Sequence, residues 1–140
     1  MTEITLKRIA GYKFEARNAS GKTAILDGPA KIGGGEDGLR PMELLLIGLA
    51  GCSSFDILHM LHKGKQDVAD MDVSVRGERA DAIPAVFTGI HVHFKVWGNI
   101  SPKRLEQAVQ SSMEKYCSVA AMLGKTAKIT HSHELLAAST

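Results

Sequence analysis

Cysteine is almost missing from this chain of 140 residues. Its only two, Cys52 and Cys117, lie 65 positions apart with no C-x-x-C pair, which excludes a disulfide framework and a zinc knuckle. An excess of charge is missing too. Seventeen Lys and Arg stand against fifteen Asp and Glu, a net +2, so there is no basic field of the kind that neutralises phosphates, and no nucleic-acid partner is expected. The uncharged run from Leu44 to Phe55 has 12 residues, short of the ~18 that suggest a membrane span, and no membrane association is expected. At the N-terminus, Glu3, Lys7 and Arg8 break up MTEITLKRIAGYKFEA and leave no apolar core for a secretory signal. The expectation is a cytoplasmic protein whose thiols begin free. Aromatic residues are 5% of the chain; Trp97 and Tyr116 stand alone, suited to packing rather than to a binding platform. The triple glycine Gly33 to Gly35 has neither the lysine of a phosphate loop nor the preceding strand of a dinucleotide fingerprint.

What is present is 44% hydrophobic sequence, enough for one globular domain over residues 1–140. Alternating apolar and polar residues at 2–9 and 12–17, followed by TAIL at 23–26, predict an antiparallel meander. Five glycines and a proline in GPAKIGGGEDGLR predict a mobile connection. Pro41 suits the first turn of a helix, and the absence of proline from Met42 to about His62 predicts one long helix. Its first half is apolar on nearly every side, which a small chain covers best with a second copy of itself. Two alternating strands follow at about 70–80 and 86–97. Ser101 and Pro102 open a second helix, Gly124 ends a short helical segment, and 127–136 reads as a last strand. The order is β-β-β-α-β-β-α-β, an α+β fold with a mainly antiparallel sheet packed on two helices.

Gly48 and Asp56 lie one turn before and after Cys52, on its face of the helix. Glycine allows a close approach to the sulfur, and a carboxylate beside it suggests a pocket or interface rather than sealed packing. Taken alone, either cysteine reads equally as a small buried hydrophobe. His91 and His93 share the strand face opposite Ile90, Val92 and Phe94, a solvated face. His131 and His133 share a face with Ile129 and Leu135, but spacing specifies no third ligand, and no metal site is expected.

Three stretches together, the approach GGGEDG, the run P-M-E-L-L-L-I-G-L-A-G-C and the later E-K-Y-C-S-V-A, resemble the OsmC/Ohr family over essentially the whole chain. The wording is closest to its OsmC-like branch. The resemblance implies the OsmC-like fold as an intertwined homodimer with active sites at the subunit interface. It also implies a thiol peroxidase, acting on organic hydroperoxides and hydrogen peroxide in oxidative-stress defence. Cys52 would then be the peroxidatic thiol and Cys117 its disulfide partner, with no bound cofactor and an external dithiol, lipoyl-type in some members, as reductant.

The family's peroxidases carry a glutamate directly after the proline, holding an arginine against the sulfur. Here Met42 follows Pro41 and Glu43 comes one position later, a rotation of about 100° along a helix. The nearby cations on offer are Arg17, Lys31 and Arg40. The alternative on the same fold is a small-molecule-binding or redox-sensing protein without efficient turnover.

Overall fold

The alternation near the N-terminus becomes three antiparallel strands: β1 (Ile4–Ala10), β2 (Lys13–Asn18) and β3 (Thr23–Leu26), in the order β1-β2-β3. Gly11, in the left-handed region at φ 51, turns the chain between β1 and β2. The Asn18 side chain accepts the Ser20 and Lys22 N–H groups at 3.1 and 2.9 Å and shapes the second turn. The structure is a computed structural model that describes residues 1–138. It divides into two units, Met1–Leu45 and a second beginning at Leu46.

The glycine-rich connection expected to be mobile is tied down instead. Asp27, 4% exposed, accepts hydrogen bonds from the N–H groups of Gly28, Gly35 and Asp37 at 2.7, 3.2 and 3.2 Å. Burial pushes its carboxyl up, but these three donors, with Lys13 nearby, bring it below its ordinary value of 3.8. The glycines serve this closure: a Cβ on Gly34 would overlap the Gly28 backbone, and one on Gly38 would stand 2.8 Å from the Ile25 carbonyl oxygen.

Helix α1 runs Pro41–Lys63. Pro41 opens it, and the Arg40 N–H donates to Glu43 Oε1 at 2.7 Å, half of a capping box.

In the second unit, β4 (Asp67–Arg79) and β5 (Phe87–Asn99) form a long antiparallel pair, and β6 (Lys128–Leu136) joins β5 in parallel. The parallel pairing follows from the connection. Between β5 and β6 the chain passes through α2 (Pro102–Ser111), a π-helical turn (Ser112–Tyr116) and α3 (Ser118–Leu123), and so returns in its original direction. Ser101 caps α2 by accepting the Arg104 N–H at 3.3 Å. The architecture is the expected α+β, with each sheet three-stranded and the second one mixed. Its core unites Leu49, Ile57 and Leu61 of α1, Leu105 and Val109 of α2, and Ile90, Val92, Phe94 and Val96 of β5, all at most 2% exposed.

Candidate active site

Along α1 the buried residues Leu49, Ser53, Ile57 and Leu61 recur every four positions and mark the face turned to the core. The opposite face exposes Ile47, Phe55 and Leu58 at 47%, 75% and 38%. Cys52, half-buried, lies at the margin between the two. Beside it the helix is thin: a Cβ on Gly48 or Gly51 would meet nothing within 4 Å.

Cys117 reaches the same place by another route. Its N–H donates to the Ser112 carbonyl at 2.8 Å, five residues back, the bond that defines the π turn ending α2. It then caps α3, its sulfur accepting the Ala120 N–H at 3.3 Å. The two sulfurs and one Asp56 carboxylate oxygen all lie within 4.8 Å of one another, and both cysteines are free. Ser112, fully buried, fastens the turn to α1: its hydroxyl lies 3.0 Å from Asp56 Oδ2 and 3.2 Å from the Ser53 carbonyl, either of which can take its single proton.

The sulfurs are not equivalent. Cys117 is 2% exposed, and burial pushes its thiol from 9.0 to about 11; the neighbouring Cys52 adds to the rise, while the Ala120 N–H opposes it. At neutral pH Cys117 is therefore a proton-bearing thiol. Unfolded, this thiol ionises from about pH 9, whereas in the fold it keeps its proton to about 11, so stability is retained below that window and lost as pH rises through it. Denaturant titrations from pH 8 upward are expected to show a steeper loss for wild type than for Cys117→Ala, and parallel curves would contradict this.

The four supporting candidates belong to the first unit. Arg17 pairs with Glu15 at 3.0 Å, and Lys31 is exposed on a 3-10 turn. Arg40 pairs with Glu36 at 3.0 Å through Nη2, while its buried Nη1 has no partner among the described residues. Glu43 is occupied in capping α1. Sequence reasoning missed Ser112 and the π turn altogether. The one available signal was Asp56, a carboxylate one turn from Cys52 that needed a buried partner.

The histidines form something else. On the face away from the core, His91 Nδ1 lies 2.7 Å from Thr130 Oγ1, and the Ser132 hydroxyl bridges His91 Nε2 and His93 Nδ1 at 2.9 and 2.7 Å. His93 Nε2 meets Glu134 at 3.4 Å. The face expected to be solvated is a half-buried polar ladder across β5 and β6. His131 and His133 lie on the other side of β6, near Val109 and Gln110 of α2.

The family model described as OsmC-like protein matches residues 33–132. The chain is 41% identical over 137 residues to Protein YhfA of Escherichia coli K12, covering 97% of this chain and 99% of that one. A hypothetical protein of Aquifex aeolicus has a solved structure that is 32% identical, with a TM-score of 0.87 over 99% and 98% of the two chains. An organic hydroperoxide resistance protein from Legionella pneumophila shares the fold at 19% identity, with a TM-score of 0.70 over 94% and 96%.

Proposed function

The chain belongs to the OsmC-like protein family, and on that footing we propose that it is a two-cysteine thiol peroxidase acting on organic hydroperoxides and hydrogen peroxide in oxidative-stress defence. The observation that carries the reading is the pairing of a half-buried sulfur with a buried one within 4.8 Å. The likeness to a hydroperoxide resistance protein supports it at the level of the fold.

Cys52, the more accessible, attacks the terminal peroxide oxygen as thiolate. The O–O bond breaks, Cys52 becomes a sulfenic acid, and the departing alkoxide takes a proton, which this reading assigns to the Cys117 thiol. Cys117, now a thiolate, then attacks the sulfenic sulfur, and the disulfide forms as hydroxide leaves and takes a proton from solvent to become water. An external dithiol, lipoyl-type in the family, restores both thiols by exchange and is itself oxidised to a disulfide. The reading assigns this cycle to a reducing cytoplasm and to a homodimer with its active sites at the interface. The exposed Ile47, Phe55 and Leu58 supply an apolar helix face for the second copy to cover.

A second reading, a redox sensor, has one observation in its favour: an Asp56 carboxylate oxygen lies within 4.8 Å of both sulfurs, where its charge opposes a thiolate. Treating reduced protein with one equivalent of alkyl hydroperoxide, then measuring intact mass and free thiols, separates the two. A peroxidase loses two thiols and about 2 Da within seconds and turns over with dithiol. Slow oxidation without turnover selects the sensor, and thiols that stay unreacted in the native protein overturn both.

A further inference from the structure

The cluster that brings two sulfurs together also brings a carboxylate, which the peroxide cycle does not use. We propose that the reduced Cys52–Asp56–Cys117 cluster is a binding site for a thiophilic divalent cation of the zinc class. The proposal is independent of peroxide turnover, since it needs only reduced thiols.

Three donors of the right kind converge. Cys52 Sγ, Cys117 Sγ and an Asp56 oxygen lie within 4.8 Å of one another, while tetrahedral zinc with Zn–S of about 2.3 Å sets sulfur-to-sulfur edges of roughly 3.8 Å. The 4.8 Å limit exceeds that edge by roughly 1 Å, a difference within the reach of side-chain rotation. Cys52 and Asp56, four apart, project from one face of α1, the spacing at which helices present paired metal ligands. Cys117 faces them from the junction of the π turn and α3.

Supporting hydrogen bonds are already in place. The Ser112 hydroxyl lies 3.0 Å from Asp56 Oδ2, where it can orient the carboxylate, and the Ala120 N–H points at the Cys117 sulfur, where it would stabilise a thiolate. Two sulfurs and one oxygen select zinc or cadmium over magnesium or calcium, which prefer all-oxygen shells. Because Cys52 is only half-buried, water can fill the fourth position.

Binding displaces one proton from each thiol. The metal and the disulfide exclude each other, because both use the same two sulfurs. Oxidation of the loaded site by a hydroperoxide consumes two protons and releases the disulfide, an alcohol, water and the free cation.

The test uses reduced, metal-free full-length protein titrated anaerobically with cobalt(II). The expected result is a near-ultraviolet thiolate-to-cobalt charge-transfer band with the visible bands of tetrahedral cobalt, saturating at one ion per chain and bleached by zinc. Cys52→Ser and Cys117→Ser should each weaken binding at least a hundredfold, and Asp56→Asn at least tenfold, by analogy with losses of ~10- to 100-fold on removing groups that support metal ligands. Should a variant fail to fold, wild type carries the test: stoichiometric zinc is expected to slow iodoacetamide alkylation of both thiols, and a chelator to restore it. A wild-type protein without the charge-transfer band, or thiols alkylated at the same rate with and without zinc, overturns the proposal. Hydroperoxide consumption by the metal-free protein reports separately on the peroxidase reading.

Discussion

Cys52→Ser is expected to lower hydroperoxide consumption by on the order of a thousandfold or more, because the sulfur that remains, Cys117, is 2% exposed and keeps its proton to about pH 11. Cys117→Ser should behave differently. It retains the attacking sulfur, so one equivalent of peroxide is consumed and the protein gains about 16 Da as a sulfenic acid, which a dimedone probe captures. Turnover with a dithiol then proceeds without the internal disulfide or stalls. The asymmetry follows from placement: Cys52 stands at the margin of the exposed face of α1, whereas Cys117 is 2% exposed behind the π turn. Equal loss of the first equivalent in both variants would sink the assignment of roles, and full activity in Cys52→Ser would sink the mechanism.

Ile47→Glu is expected to convert a dimer into single chains at micromolar concentration, read by light scattering. Ile47, Phe55 and Leu58 form an apolar stripe along the side of α1 away from the core, with space at Gly48 and Gly51 for a second backbone to come close. A carboxylate sealed into such a contact without a partner costs several kcal/mol, comparable to the whole stability of a modest interface. The same residue is 47% exposed in the isolated chain, so the substitution should leave the fold of each protomer intact by circular dichroism. Wild type running as a single chain, or an Ile47→Glu protein of unchanged mass, would remove the second copy from the account.

Much of the architecture is written locally. Pro41 opens α1, Ser101 and Pro102 open α2, and Gly124 ends α3, because each acts through its own backbone and its nearest turn. The strands are likewise legible from their alternation. Parallel pairing of β6 is less so, since it depends on where a crossover delivers the chain. Asp27 gives no sign of its role either, because its three N–H partners come from positions 28, 35 and 37 and exist only once the glycines have closed the loop. At the site, Cys52 and Cys117 stand out in the sequence as the only cysteines, yet nothing in the 64 intervening residues encodes their distance. Ser112 to Tyr116, SMEKY, carries no proline, glycine or cap to mark it, and the π turn that brings the second sulfur into place is a product of packing.

That turn ties the meeting of the sulfurs to one backbone bond, from Cys117 to Ser112. A π bond spans one residue more than an α bond, and each residue turns a helix by about 100°. An α turn one residue shorter would return to the same carbonyl, so the extra residue is absorbed within the turn while Cys117 keeps its place over Ser112, and Ser112 is itself fastened to α1. The reactive pair thus hangs on a single backbone bond, from Cys117 back to Ser112, and a change of length in this stretch keeps the sulfurs together only where that bond can form again.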